Sequence, residues 1–167
     1  MDATTLASVE DYLNTSFAGA DREYVDDKIL ERNAGEIDHS DLQTAILVYR
    51  RLHHKSVWAG VAVRVQVSQG RFRVPDVCIV AGPQPSGRIV TQPHLCVVEV
   101  LSKEDRVDDI DEKIHDYLAF GIRYVWVVNP RSRHGYVYTA SGMHEATDSI
   151  LHTANPSIQL PLWEMFQ

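Results

Sequence analysis

The sequence predicts an α/β or α+β fold, in which a mixed β-sheet is flanked by helices within a single domain, residues 1–167. Apolar residues at helical spacing mark several helices, and alternating or continuous apolar runs mark several strands. A strand–helix–strand unit over 95–128 implies a parallel strand pair, whereas short hairpins earlier in the chain imply antiparallel pairs. A chain of this length can bury a core without disulfide bonds.

Two helices are predicted in the N-terminal third of the chain. The first covers 8–17, where Ser8 and Asp11 have the spacing of a capping box. The second covers about 40–53, with Asp38 or Ser40 as its N-cap.

The remaining segments read as strands around a third helix. Glu23–Val25 and Lys28–Leu30 form a short hairpin, and valines alternate with other residues over 61–67 as in a half-buried strand. The third helix covers 107–120 and ends at Gly121, which suits a left-handed C-terminal position. Further strands are predicted at 71–74, 77–80, 95–101, 124–128 and 135–139.

Composition excludes several classes of protein. With 44% hydrophobic and 23% charged residues, the chain has the usage of an ordinary globular protein and is not predicted to be disordered. It contains no apolar run of about 20 residues and no signal-like N-terminal segment, so no membrane association is expected. Cys78 and Cys96 lie in apolar runs, which favours reduced core thiols in a cytoplasmic protein.

Charge is unevenly distributed along the chain. The net charge is −7, yet residues 42–75 contain no acid and six bases. Such a stretch could form a positive surface for a polyanion, or it could supply solvated faces that merely segregate by sign. The six bases are Arg50, Arg51, Lys55, Arg64, Arg71 and Arg73.

Two carboxylates occupy unusual positions. Glu99 interrupts an apolar strand, where an unpaired carboxylate is costly, and Asp76 directly precedes another apolar strand. If these strands are neighbours, both acids meet at one end of the sheet, in an arrangement that fits Mg²⁺. Either acid alone would more simply be a solvated strand-end residue.

Lys113 borders the apolar stripe of the third helix, and that helix must pack onto the sheet that carries Glu99. Its side chain could therefore reach the carboxylates. On helix spacing alone, however, a lysine that extends to solvent and pairs with Asp109 or Asp116 is the simpler interpretation.

These residues resemble the Uma2-type restriction endonucleases of the PD-(D/E)XK nuclease superfamily. The resemblance covers about 23–139 and is most specific over 97–130. It implies a mixed sheet flanked by helices, metal-dependent phosphodiester hydrolysis, and Asp76 and Glu99 as metal ligands. The residues that carry it are Glu23-Tyr24-Val25-Asp26, Pro75-Asp76, Glu99-Val100-Leu101-Ser102, Lys113, Asp116-Tyr117, Gly121 and Tyr124-Val125-Trp126.

The sequence departs from this family pattern at three positions. The superfamily lysine usually stands two residues after the second acid, where this chain has Leu101, and Lys113 matches the relocated lysine that the family places on the following helix. Asp27 replaces a usual turn glycine and Asn129 a usual aspartate, but both residue types tolerate turns.

Glu36 and His39 also match a family-like pattern, an acid followed by a histidine before the second helix. Glu36 could add a metal ligand, and His39 could contact a phosphate or a water. The alternative is an ordinary helix-start acid and a surface imidazole. No cysteine or histidine spacing favours zinc.

The sequence as a whole predicts a Mg²⁺- or Mn²⁺-dependent endonuclease that acts on DNA, with a homodimer expected because two copies can cut both strands. Asp76, Glu99 and Lys113 are the expected catalytic residues. The alternative is a catalytically silent nuclease-fold module that binds a protein or a nucleic acid. Contacts to nucleic acid are expected from His39, Arg50, Arg51, Lys55, Arg71 and Arg73.

Overall fold

A computed structural model describes residues 3–33 and 35–166. The helices in these ranges are α1 (Val9–Asn14), α2 (Ile37–His53), α3 (Val107–Phe120) and α4 (Leu162–Met165). None of the described helices is long and apolar enough to cross a membrane.

The strands of the described chain form three sheets. A five-stranded sheet has the order β1-β3-β2-β6-β5, a six-stranded sheet has the order β11-β10-β9-β8-β7-β4, and β12 pairs with β13. In chain order the strands are β1 (Ala3–Leu6), β2 (Glu23–Val25), β3 (Lys28–Leu30), β4 (Val57–Val61), β5 (Val65–Ser68), β6 (Arg71–Arg73), β7 (Val77–Ala81), β8 (Cys96–Val100), β9 (Tyr124–Asn129), β10 (His134–Thr139), β11 (Gly142–Glu145), β12 (Ile150–Thr153) and β13 (Ile158–Pro161).

The six-stranded sheet is the mixed sheet that the sequence predicts. β8 and β9, which precede and follow α3 in the chain, pair in parallel, while β7 runs antiparallel to both β4 and β8. Gly121 ends α3 with φ of +104°, in the left-handed region where glycine carries no Cβ penalty. The predicted fold class is confirmed, although the strands divide into three sheets rather than one.

Two predictions about α2 were wrong. The helix begins at Ile37, three residues before the expected start, and its N-cap is Glu36, which makes no side-chain capping bond. Asp38 and Ser40 therefore lie inside the first turn, where an acid favours the positive end of the helix dipole.

The predicted strand over 61–67 is also wrong, because the chain changes sheets within it. β4 ends at Val61, Ala62 adopts a positive φ of 49°, and β5 begins at Val65 in the other sheet. The Ala62 backbone amide donates to the carbonyl oxygen of Asp76. Of the alternating valines, Val65 and Val67 are buried in β5, whereas Val61 at the end of β4 is exposed, so the alternation does not mark one continuous buried face.

The core lies on both faces of the six-stranded sheet. α2 contributes Leu42 and Ile46 to one face, together with β12, β13 and α4. α3 contributes Ile114 and Tyr117 to the other face, and it also packs against β5 of the smaller sheet. The face covered by α3 is the one on which polar side chains are buried near the end of β8.

Candidate active site

Strand register brings Asp76 and Glu99 together. Val77 of β7 pairs with Val98 of β8 in an antiparallel ladder, so the next pair along the ladder would be Asp76 and Glu99. Glu99 lies on the α3 side, where the Tyr117 hydroxyl donates to it. The Asp76 carboxylate lies at the end of the sheet, where the Val100 backbone amide and His39 of α2 contact it.

A cleft of about 560 Å³ opens over the two carboxylates. Its polar lining comes from the five-stranded and the six-stranded sheet, from the loop after β3, and from α2 and α3. The charged and polar side chains that face it include Glu23, Arg32, His39, Gln43, Asp76, Glu99 and Lys113. The structure therefore brings together the three residues that the sequence predicts as catalytic.

Asp76 is only 2% exposed and is held from several directions. Its Oδ1 accepts a bond from Arg32 Nη2 at 2.6 Å, while its Oδ2 accepts one from the Val100 backbone amide at 2.7 Å and lies 3.1 Å from His39 Nε2. Gln43 also donates to Asp76, chiefly to its carbonyl oxygen. Burial opposes ionisation, but the bond from His39 and the charges of His39 and Arg32 outweigh it, so the pKa of Asp76 is lowered.

Glu99 is equally buried but less well compensated. Its Oε1 accepts a 2.6 Å bond from the Tyr117 hydroxyl, and its Oε2 lies 3.7 Å from Lys113 Nζ, beyond hydrogen-bond distance. Burial raises the pKa of Glu99 to about 7, with Lys113 lowering it and the charges of Asp76 and Glu23 raising it. The two acids at the end of the sheet thus have opposite pKa shifts.

Lys113 points into the cluster rather than to solvent. Its Nζ lies 3.1 Å from Glu23 Oε1 and 3.7 Å from Glu99 Oε2, and its side chain is 12% exposed. Burial alone would lower the pKa of Lys113, but the Glu23 and Glu99 carboxylates raise it. The alternative pairing with Asp109 or Asp116 is not what the structure shows, since arginines occupy Asp116.

Glu23 lines the cleft, although the sequence marked it only as part of the family-like segment 23–26 and not as a site residue. It is 1% exposed, and its carboxylate contacts Lys113, Arg73 Nη1 and the Val74 backbone amide. Burial opposes its ionisation, but the charges of Lys113 and Arg73 lower its pKa. The available signal was weak: an acid that opens a short strand whose next two residues are apolar.

Arg32 and Gln43 were missed as well, and no sequence motif marks either one. Arg32 follows β3 in a loop, and its side chain is 14% exposed because its guanidinium turns inward to Asp76. Gln43 lies on α2 one helical turn after His39, so both side chains face Asp76.

Glu36 and His39, predicted as a pair, separate in the structure. His39 contacts Asp76, and this hydrogen bond raises the pKa of His39. Glu36 is not among the residues that line the cleft; its carboxylate, 41% exposed, lies 3.6 Å from Lys103 Nζ. The structure therefore does not support Glu36 as a metal ligand beside Asp76.

The predicted arginine surface divides into two parts, and the expectation fails for Arg71 and Arg73. Arg73 is 2% exposed and pairs with Glu23, Glu112 and Asp116, so its guanidinium is not available to a phosphate.

Arg71 is directed to three carboxylates, those of Asp26, Glu112 and Asp116. Its charge is thereby neutralised within the protein. Arg71 and Arg73 thus connect the smaller sheet to α3. Among the predicted basic residues, Arg50, Arg51 and Lys55 remain as candidates for phosphate contacts.

Arg50, Arg51 and Lys55 lie at the C-terminal end of α2 and just beyond it. Arg51 and Lys55 are exposed and Arg50 is half-buried. Within the described part of the chain, none of the three forms an ion pair. These bases therefore keep their positive charge at the surface.

Comparison with known proteins identifies the family. A family model described as "Uma2: Putative restriction endonuclease" matches residues 9–165. The chain belongs to the Uma2 family. This confirms the resemblance seen in the sequence and extends it beyond 23–139 in both directions. The comparison with curated proteins gives no match.

The fold also matches a solved structure. A crystal structure from Anabaena variabilis, described as a "putative nuclease belonging to DUF820", superposes with a TM-score of 0.80. The two chains are 17% identical, and the match covers 96% of this chain and 97% of the other. At this identity the likeness establishes the fold of this Uma2 protein.

The donor set can be tested for a divalent metal. Mg²⁺ in proteins is commonly bound by one or two carboxylates plus waters, and Asp76 and Glu99 supply oxygens of that kind. Glu99 Oε2, which is buried without a short hydrogen bond, is an atom that a cation would satisfy. In the described residues no group of three or more Asp, Glu, His or Cys side chains is arranged around one point. Asp76 and Glu99 thus fit the small set of carboxylates with which proteins commonly bind Mg²⁺.

Proposed function

We propose that this Uma2 protein is a divalent-metal-dependent endonuclease that hydrolyses phosphodiester bonds in DNA. One observation carries the proposal: two buried carboxylates, one just before β7 and one in the neighbouring strand β8, line an open cleft, with a lysine ammonium 3.7 Å from one of them. Membership of a family described as restriction endonucleases supports the same reaction.

Asp76 and Glu99 would hold the metal, Mg²⁺ or Mn²⁺. When bound, such an ion supplies a Lewis acid for a phosphate oxygen and a water of lowered pKa. Asp76 is anchored by the Val100 amide, and Glu99 by the Tyr117 hydroxyl, so both carboxylates are fixed before a substrate arrives. Fixed ligands keep the reacting groups in one geometry.

Lys113 would stabilise negative charge that develops on the phosphate. Its ammonium is kept charged and oriented by Glu23, which itself is fixed by Arg73 and the Val74 amide. A preorganised cation in a partly dry cleft acts more strongly than one in water. In this scheme Glu23 is a positioning residue that acts through Lys113.

The DNA backbone would follow α2 away from the cleft. His39 lies at the cleft in the first turn of this helix, and Arg50 lies eleven positions later, about 16 Å along the axis. Arg51 is the next residue of the helix, and Lys55 lies just beyond its C-terminal end. Contacts to phosphates there would strengthen binding without reading sequence.

Two further expectations accompany the proposal. A homodimer would place two clefts on one duplex and allow both strands to be cut. The two cysteines, Cys78 and Cys96, are buried free thiols, which agrees with a reducing compartment such as the cytoplasm.

One observation favours the alternative, a silent module that binds nucleic acid or protein without cutting. Both oxygens of Asp76 are already engaged, by Arg32 on one side and by His39 and the Val100 amide on the other. In a silent module Arg32 would take the place that a metal takes in an active enzyme.

Nicking of supercoiled plasmid and metal-dependent thermal melting together test the proposal. The wild type should nick plasmid only with Mg²⁺ or Mn²⁺, and titration with Mn²⁺ should raise its melting temperature. Asp76→Ala should lose both effects, whereas Glu36→Gln, which removes a carboxylate outside the cleft, should keep both. A wild type that neither nicks nor responds to metal would favour the silent module.

A further inference from the structure

A second groove lies beside the candidate active site, on the same side of the six-stranded sheet. It has a volume of about 260 Å³ and is bounded by α3, β10, β11 and the segment that follows β8. Ser102, Asp105 and Ile110 line both this groove and the cleft. The two depressions therefore share a wall, and a nucleic-acid strand that leaves the cleft across that wall enters the groove.

Strand register fixes the distance between the groove and the carboxylates. Glu99 of β8 pairs with Val127 of β9, and Val127 pairs with Tyr136 of β10. All three belong to one cross-strand row on one sheet face. Because neighbouring strands lie about 4.8 Å apart, Tyr136 lies two strands, or roughly 10 Å, from Glu99.

Tyr136 and Tyr138 provide two aromatic rings on the floor of the groove. They are two residues apart on β10, so they point to the same face of the sheet, and both are half-buried. The aromatic ring pairs of the described residues lie elsewhere, around Tyr12, Tyr24 and Tyr49.

Charge around the groove is mixed. Lys103 and Arg131 are exposed at its edge, and Lys103 also lies 3.6 Å from Glu36; Asp105 is engaged by the Asn33 amide and the Ser102 backbone amide. Asp111 remains exposed on α3. The groove thus offers two cations to phosphates, and rings rather than charge are its main feature.

We propose that Tyr136 and Tyr138 form a stacking platform for unpaired bases of the nucleic-acid strand that leaves the cleft. The inference rests on the proposed function and narrows its substrate: DNA with a single-stranded segment next to the cleavage point. Base–aromatic stacking is tolerant of sequence, because every base presents a π-face. Lys103 and Arg131 would contact the backbone of that segment.

A second copy of the chain is the other occupant that this surface could take, and it fits less well. A stable interface buries about 800 Å² on each partner. The large apolar side chains exposed in the groove are Val107 and Met143, whereas others lie on unrelated elements, among them Val48, Leu52 and Trp163. Exposed apolar surface is therefore not concentrated here as a dimer face would require.

Fluorescence anisotropy with two DNA probes tests the platform. One probe is a blunt duplex and the other is the same duplex with a single-stranded overhang of about ten nucleotides, within the range of strand lengths that single-strand-binding sites cover. Both are measured in EDTA so that no cleavage interferes. The double variant Tyr136→Ala, Tyr138→Ala should bind the overhang probe about tenfold or more weakly than the wild type, with the blunt duplex unchanged. Tyr136→Phe, Tyr138→Phe should keep wild-type binding because the rings remain.

The control is Trp163→Ala, an exposed aromatic outside the groove, which should bind both probes as the wild type does. Overhang binding that survives in the alanine variant, or an equal loss on both probes, would overturn the platform. So would a change from dimer to monomer in sedimentation with DNA binding unaltered.

Plasmid nicking separates this failure from that of the proposed function. A wild type that nicks plasmid, together with an alanine variant that binds like wild type, overturns the platform alone. A wild type that binds neither probe and nicks no plasmid overturns both.

Discussion

Arg73 and Arg51 come from the same acid-free stretch of the sequence, yet they occupy opposite environments. Arg73 is 2% exposed between the smaller sheet and α3, where it contacts Glu23, Glu112 and Asp116. Arg51 is exposed near the end of α2. The acids that neutralise Arg73 come from segments about 40 to 50 residues away in sequence.

This difference shows that a local run of bases does not by itself make a positive surface. A buried arginine that is paired holds elements together, because removing it leaves carboxylates unpaired in a low-dielectric interior. An exposed arginine adds little to stability but can attract a polyanion. The same contrast between buried and exposed side chains applies to histidines, and its effect on the free energy of unfolding can be measured.

The largest effect is expected from the buried arginine. Arg73→Met should lower the free energy of unfolding by about 3–5 kcal/mol, because Glu23 and Asp116 then remain buried with one partner fewer. Arg51→Met should change it by no more than about 0.5 kcal/mol. Urea unfolding measures the free energy of unfolding of both variants. A similar loss of stability in the two would contradict the contrast between the buried and the exposed arginine.

A smaller effect, visible only through pH, is expected from a buried histidine. His94 is 7% exposed and its Nε2 lies 3.0 Å from Cys78 Sγ. Burial lowers the pKa of His94 to about 4, whereas the unfolded chain would protonate it near 6.5. Between these two values the unfolded state binds more protons, so stability falls as pH falls, by an amount on the order of 3 kcal/mol.

His94→Gln should remove this part of the acid sensitivity, and the exposed His53→Gln should retain it. Unfolding free energies of the three proteins between about pH 4 and pH 7 provide the test. Identical slopes for His94→Gln and the wild type would mean that His94 is not held neutral by burial.

The smallest effect concerns DNA binding by the exposed bases. Reversal of Arg50 and Arg51 to Glu should weaken binding several-fold and reduce the steepness of the salt dependence by about 0.9 for each phosphate that these arginines neutralise in the wild type. Arg71→Gln, which removes a charge already paired within the protein, should leave the salt slope unchanged. Binding isotherms at several salt concentrations measure the slope. A reduced slope for Arg71→Gln would mean that Arg71 belongs to the DNA-binding surface.

The sequence predicted the parts of the fold that depend on local periodicity. The helix over 107–120, its glycine cap and the parallel pair of β8 and β9 follow from apolar spacing and from chain connectivity. The bend at Ala62 could not be predicted in this way, because valines alternate on both sides of it. The chain bends there because β4 pairs with β7 in one sheet and β5 pairs with β6 in another.

The same limit applies to the cleft. Asp76 and Glu99 were identifiable because each is a carboxylate at an apolar strand, an expensive position that needs compensation. Glu23 and Arg32 became visible only in three dimensions, since their partners, Lys113 and Asp76, lie far away in the chain. A single charged residue cannot be recognised as part of a site from the sequence alone when the residues that it contacts come from distant segments.

Lys113 and Asp76 have distinct roles in the proposed reaction, and one paired measurement tests this directly. Plasmid cleavage and Mn²⁺-induced thermal stabilisation should be measured together for wild type, Lys113→Ala and Asp76→Ala. Lys113→Ala should cleave about 10²–10³-fold more slowly while it keeps the metal-induced stabilisation, because an ammonium stabilises charge but is not a ligand. Asp76→Ala should lose both. Cleavage by Lys113→Ala at the wild-type rate in saturating Mg²⁺ would contradict this division of roles.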